Sequence, residues 1–185
     1  AYFKGQFYGE PVTQDDCNKI TQMVRNIRAM CDTESVRRGR PVLIAIRVPD
    51  SLPFAKAIGL DWEQWLKEEL IDVVTGADYF KLEPWANMAK IGVKYNVPVY
   101  ACLEQRRIAS RGGSAERKTT IGRWRGEAYI AWQSGMNGIY TFNRFDPHDP
   151  IFKEIGDPSL LAKLDMVREE SYIGAEGIGY LDPGY

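Results

Sequence analysis

Residues Ala77 to Arg107 read A-D-Y-F-K-L-E-P-W, then A-N-M-A-K-I-G-V-K-Y-N, then V-P-V-Y-A-C-L-E-Q-R-R. A short apolar run ends in Glu83, a compact helical pattern follows, and a second apolar run ends in Glu104. Two strands joined by one helix form a βαβ unit, whose strands lie parallel and side by side. Each strand then carries a glutamate at its carboxyl end. Parallel α/β folds bind ligands outside the carboxyl ends of their strands. Two carboxylates there suit an acid and a nucleophile, or an acid and a base.

The same alternation extends outward. Upstream, Thr13 to Cys31 carries apolar residues at steps of three and four, from Cys17 through Ile20, Val24 and Ile27 to Cys31, which predicts a helix capped by Thr13. The run R-R-G-R at 37–40 reads as a basic turn. Pro41 to Asp50 is nearly all apolar, the pattern of a strand buried on both faces. Asp61 caps a predicted helix through Val74, and Gly76 closes it before the strand that ends at Glu83. Pro84 fits the first position of the next helix, which ends near Asn96. Downstream, Thr119 or Thr120 caps a helix bearing Ile121, Trp124, Ala128, Ala131 and Trp132 on one face. Ile139 to Phe145 is the last clear strand, and a short helix over Ser159–Val167 follows.

Period two sorts the strand residues into two sets. Val42, Ile44, Ile46, Phe80, Leu82, Val99, Ala101, Leu103, Tyr140 and Phe142 form an apolar face that should meet the helices. Arg47, Lys81, Glu83, Tyr100, Cys102, Glu104, Thr141 and Asn143 fall opposite. A doubly wound sheet would bury those charges badly, whereas a barrel opens them at its top. No G-x-G-x-x-G or P-loop pattern follows a strand. The fold class expected is therefore α/β, a parallel (β/α) barrel of TIM type.

Composition narrows the function. With net charge −1 the chain has no global field to attract nucleic acid. No apolar run reaches transmembrane length. Three cysteines form no C-x-x-C pair, and the single His148 cannot build a His-rich metal site. No metal or cofactor is expected. Five Trp and ten Tyr suit sugar rings as well as a core.

At D-Y-F-K-L-E-P-W and V-P-V-Y-A-C-L-E, with R-V-P-D before them, the chain resembles a family of bacterial TIM-barrel proteins assigned to glycoside hydrolysis and often secreted. The resemblance runs from about Phe3 to about Asp165. It implies a (β/α)₈ barrel, a carbohydrate substrate and a secreted, periplasmic or cell-surface location. It also implies that residues 1–170 are the C-terminal half of the barrel, with strands five to eight, and that 171–185 form a glycine-rich tail. In many retaining barrel glycosidases the acid/base stands on the fourth strand and the nucleophile on the seventh. Glu104 matches the seventh-strand position, and the fourth-strand carboxylate would lie upstream of Ala1. The half-barrel would then be inactive alone and would associate with its other half or with a second copy.

The candidate catalytic residues are Glu104 and Glu83. Each has a plainer alternative. Glu104 would pair with Arg106, Arg47 or Lys81, and Glu83 would pair with Lys81 or serve as a helix-start charge. Arg47, Asp50, Lys81, Trp85, Tyr100 and Asn143 are the candidate substrate binders, although its place on the helix stripe suits Trp85 better to the core. The loop from Arg106 to Arg125 holds seven basic residues. It suits an anionic sugar, or is simply solvated. A barrel that binds carbohydrate or a protein partner without chemistry is the alternative function.

Overall fold

The computed structural model describes residues 9–77, 83–104, 108 and 120–168. Among these, four strands form one sheet: β1 (Ala45–Pro49), β2 (Val73–Ala77), β3 (Val99–Leu103) and β4 (Gly138–Thr141). The sheet order is the chain order, and every neighbouring pair is parallel. Helix α1 (Gln14–Arg38) precedes β1. Helices α2 (Leu52–Ala57) and α3 (Trp62–Lys67) link β1 to β2, α4 (Trp85–Tyr95) links β2 to β3, and α5 (Ile121–Gln133) links β3 to β4. Two short helices follow, α6 (Ile151–Glu154) and α7 (Pro158–Leu161). Among the described residues no helix is long and apolar enough to cross a membrane.

Helix α1 starts where Thr13 and Asp16 satisfy each other's backbone donors in a capping box. It runs past Cys31 and absorbs Arg37 and Arg38 as its last turn, because the stop comes only at Gly39, in the left-handed conformation. The basic turn expected at 37–40 is thus mostly helix end. Arg25 grips Glu68 through two bonds of 2.6 Å, and Arg28 reaches Asp72 at 2.9 Å. These pairs and the 2.9 Å bond from Trp65 Nε1 to Thr21 fix α1 against α3 and the approach to β2.

Parallel strands in chain order, joined by right-handed crossovers, place their helices on one face of the sheet. The core agrees. Val48, Val74, Val99, Ala101 and Leu103 alternate along the strands and pack with Trp62, Trp65, Trp85, Met88, Trp124, Ala128 and Ala131 in a single cluster. Each valine, leucine or methionine among them contributes about 1.5–3 kcal/mol on burial. Gly76 leaves the room that α4 fills, since a Cβ there would stand 2.2 Å from the Met88 sulfur.

Among the described residues the opposite face carries no helix layer. Ala45, Arg47 and Tyr140 on it are exposed, although its centre, Thr75, Ala77 and Cys102, is buried. The run before Asp50 is therefore not buried on both faces. Its even-numbered residues meet the helices, and the odd ones at 45 and 47 meet solvent.

Two sequence expectations need correction. The second strand begins at Val73, four residues before the expected start at Ala77, and is described as far as Ala77; residues 78–82 of the expected strand lie outside the described residues. Helix α3 ends at Lys67, and Glu69 takes a left-handed backbone (φ 54°) without the glycine that would have announced it. The β-branched run Val73-Val74-Thr75 is thereby released into the sheet. In β4 the two faces are also exchanged. Cys102 pairs with Tyr140 and Leu103 with Thr141, so Tyr140 belongs to the open face and Thr141 to the helix face. The sheet is four-stranded and not closed upon itself among the described residues.

Candidate active site at the carboxyl end of the sheet

Glu104 directly follows β3 and is only 5% exposed. Its carbonyl accepts the Ile108 N–H at 3.2 Å. Phe142 donates its N–H to the Leu103 carbonyl at 3.0 Å, so the β3–β4 ladder continues past Thr141 and brings Phe142 level with Glu104. Alternation from Tyr100 and Cys102 assigns Glu104 to the open face, and the same count assigns Phe142 there.

Arg47 comes from β1, at the far edge. Its guanidinium carbon lies 3.9 Å from the centroid of the Phe142 ring. Side chains stand roughly perpendicular to a sheet, so a contact from the first strand to the end of the fourth requires the sheet to curve toward its open face. The contact also delivers a positive charge to the Glu104 level. Asp50 follows β1 and is 2% exposed. Its neighbour Ser51 caps α2 by accepting the Phe54 N–H at 3.4 Å. Two buried carboxylates, Asp50 and Glu104, thus stand at the ends of next-but-one strands.

The other predicted residues are placed differently. Glu83 precedes α4 and accepts a 2.9 Å bond from the Asn87 side chain, one turn on. It is a carboxylate at the start of α4, and the residues that lead to it from Ala77 lie outside the described ones. Trp85 is fully buried in the sheet–helix core, and its indole donates to Glu127 at 2.8 Å. Tyr100 sits near the amino end of β3, where its ring covers Gly138; a Cβ on that glycine would come within 3.0 Å of it. Four residues, about 13 Å of strand, separate Tyr100 from Glu104. Asn143 is exposed and turns the chain out of β4 with φ 54°. Lys81 and most of the basic loop, 105–107 and 109–119, lie outside the described residues.

Sequence reading missed two arrangements here. Glu127 is buried inside the α5 stripe of Trp124, Ala128 and Ala131, and a charged residue at that period is a signal available from the sequence. Arg144 lies 4.3 Å over the Trp124 ring and pairs with Asp149. No local sequence pattern announces that cluster.

Compared with protein-family models and with curated protein sequences, the chain matches none. The fold and site define a class only: an α/β protein with a four-stranded parallel sheet and buried carboxylates, Asp50 and Glu104, directly after two of its strands.

Proposed function

We propose that this sheet is part of a (β/α)₈ barrel and that the site at its mouth cleaves glycosidic bonds, with Glu104 as a catalytic carboxylate. The observation that carries the reading is Glu104 itself, buried at the carboxyl end of β3 and level with the Phe142 ring that holds Arg47. Sheet order without reversal, one helix-covered face and curvature toward the other support the barrel. Glycoside hydrolysis needs two carboxyl groups, about 5–5.5 Å apart for retention and about 6.5–9.5 Å for inversion. Asp50, buried where the chain bends out of β1, is the candidate for the second. Two strand spacings, about 10 Å of backbone, separate its strand from that of Glu104. Phe142 and Arg47 form one wall, an aromatic face with a cation upon it, suited to a sugar ring bearing hydroxyl or carboxylate groups.

A second reading, carbohydrate binding without chemistry, draws on Glu83. Its bond to Asn87 occupies it at a helix start, so the carboxylate pair rests on Asp50 alone. Incubation with a panel of neutral and uronate-containing oligosaccharides, followed by detection of new reducing ends, separates the two. Release of reducing ends supports the hydrolase. Saturable binding with no cleavage supports the binding reading, and neither cleavage nor binding overturns both.

A further inference from the structure

Arg47 belongs to β1, lies on the open face of the sheet and is exposed. Its guanidinium carbon stands 3.9 Å from the centroid of the Phe142 ring. Among the described residues no carboxylate pairs with this guanidinium and no carbonyl accepts from it, so the ion pair with Glu104 that the sequence allows is not formed. Other arginines of the chain are held differently. Arg25, Arg28 and Arg125 give their N–H edges to Glu68, Asp72 and Glu154. Arg144 also lies over a ring, that of Trp124, but Asp149 takes its N–H edge. Arg47 has the ring and no acid.

A guanidinium stacked on a ring uses its face and keeps its five in-plane donors. The ring holds the plane in place, so less freedom is lost when two of those donors meet an acceptor pair. Two parallel N–H groups match the two oxygens of a carboxylate in a planar, bidentate, charge-assisted contact. A single hydroxyl uses one donor and leaves the charge unanswered.

Position adds to this. Phe142 is level with Glu104, so the donors lie at the end of the sheet where Asp50 and Glu104 are buried. As carboxylates these two oppose an anion placed beside them. A negative group is therefore accepted at the guanidinium and disfavoured elsewhere, which selects one orientation of a bound sugar.

We propose that this site takes acidic glycans, with Arg47 holding the carboxylate of a uronic acid unit and Phe142 keeping the guanidinium in place. Arg47 is then the residue that selects uronate over neutral sugar. The inference rests on the glycan reading of the site and adds the charge of its substrate.

The test is calorimetric titration of the full chain with trisaccharides of galacturonate and of mannuronate and with a glucuronate-bearing xylotriose, each beside its carboxyl-reduced neutral form. The variants are Arg47→Met and Arg47→Lys, at an exposed position. The wild type is expected to bind at least one uronate about tenfold or more tighter than its reduced form. Arg47→Met should remove that preference by weakening uronate binding, with the neutral form nearly unchanged. Arg47→Lys keeps the charge without the fork and should restore only part of it. Equal affinity for the two forms in the wild type overturns the proposal. So does a preference that survives Arg47→Met, because another cation then carries it, and so does full recovery in Arg47→Lys, which would make the contact a plain charge attraction. Assay of new reducing ends separates this inference from the hydrolase. An Arg47-dependent uronate preference without cleavage keeps the inference and sinks the hydrolase; cleavage of neutral glycans without uronate preference does the reverse. No binding of any glycan overturns both.

Discussion

Arg47 on β1 and Phe142 at the end of β4 meet, guanidinium over ring at 3.9 Å, so the first and last strands of the sheet touch across its open face. Two strands intervene. The contact therefore reports the curvature of the sheet, and it brings a cation to the level of Glu104.

Because Arg47 is exposed, the pair should contribute modestly, about 0.5–1 kcal/mol by the usual range for exposed cation–π contacts. A double-mutant cycle with Arg47→Ala and Phe142→Ala, read by urea unfolding, measures it. A coupling of that size is expected; strictly additive single effects would mean that the contact contributes nothing in solution.

The bidentate bond from Arg25, with a second from Gln64, holds the Glu68 carboxyl down from the usual value near 4.5 to about 2. A depressed carboxyl stabilises the folded state above its unfolded pKa and loses that contribution as pH falls toward the folded value. Glu68→Gln should therefore cost stability at pH 6, and the gap between variant and wild type should close between about pH 4.5 and pH 2. Both side chains retain solvent contact, 41% for Arg25 and 25% for Glu68, so the cost should be at most about 1 kcal/mol. Urea titrations at several pH values check this, and a gap that does not change with pH would contradict it.

A Cβ on Gly92 would lie 2.8 Å from the Val97 carbonyl oxygen and 2.9 Å from the Val99 methyls. Helix propensity alone favours alanine there by about 1 kcal/mol. Overpacking opposes it by about 1–3 kcal/mol, and the carbonyl belongs to backbone that leads directly into β3. Gly92→Ala is expected to lower the melting temperature by several degrees. An unchanged or raised melting temperature would show that α4 slides on the sheet at little cost.

Cys17, Cys31 and Cys102 are buried thiols that form no disulfide, and burial pushes the Cys17 thiol up. Under native conditions a thiol-reactive disulfide reagent should modify none of them rapidly, and unfolding should release all three. Fast modification of any one in the folded chain would place it at the surface.

The strand–helix alternation and the parallel sheet were legible because buried strands and amphipathic helices have distinct periods. Val99–Leu103 and the Trp124–Ala128–Ala131 stripe show this directly. What was not legible were the points where a non-glycine residue turns left-handed. Glu69 ends α3 early, so β2 begins at Val73, four residues ahead of the predicted start, while residues 78–82 lie outside the described ones. Glu83 bonds Asn87 at the start of α4, the plainer of its two expected roles. The faces of β4 were exchanged because a four-residue strand has too few alternations to fix its phase; its register with β3 does so. Glu104 and Asp50 could be picked out at strand ends, but their burial, and the reach of Arg47 to Phe142, depend on sheet curvature that local sequence does not encode.

The most direct test of the account is the turnover of an aryl glycoside cleaved by the wild-type chain, set against Glu104→Gln, with the melting temperature of each recorded alongside. Loss of a nucleophile or proton-transfer group costs at least about a hundredfold. The account predicts that loss at an unchanged melting temperature. Equal turnover in the variant would remove Glu104 from the chemistry and contradict the central claim.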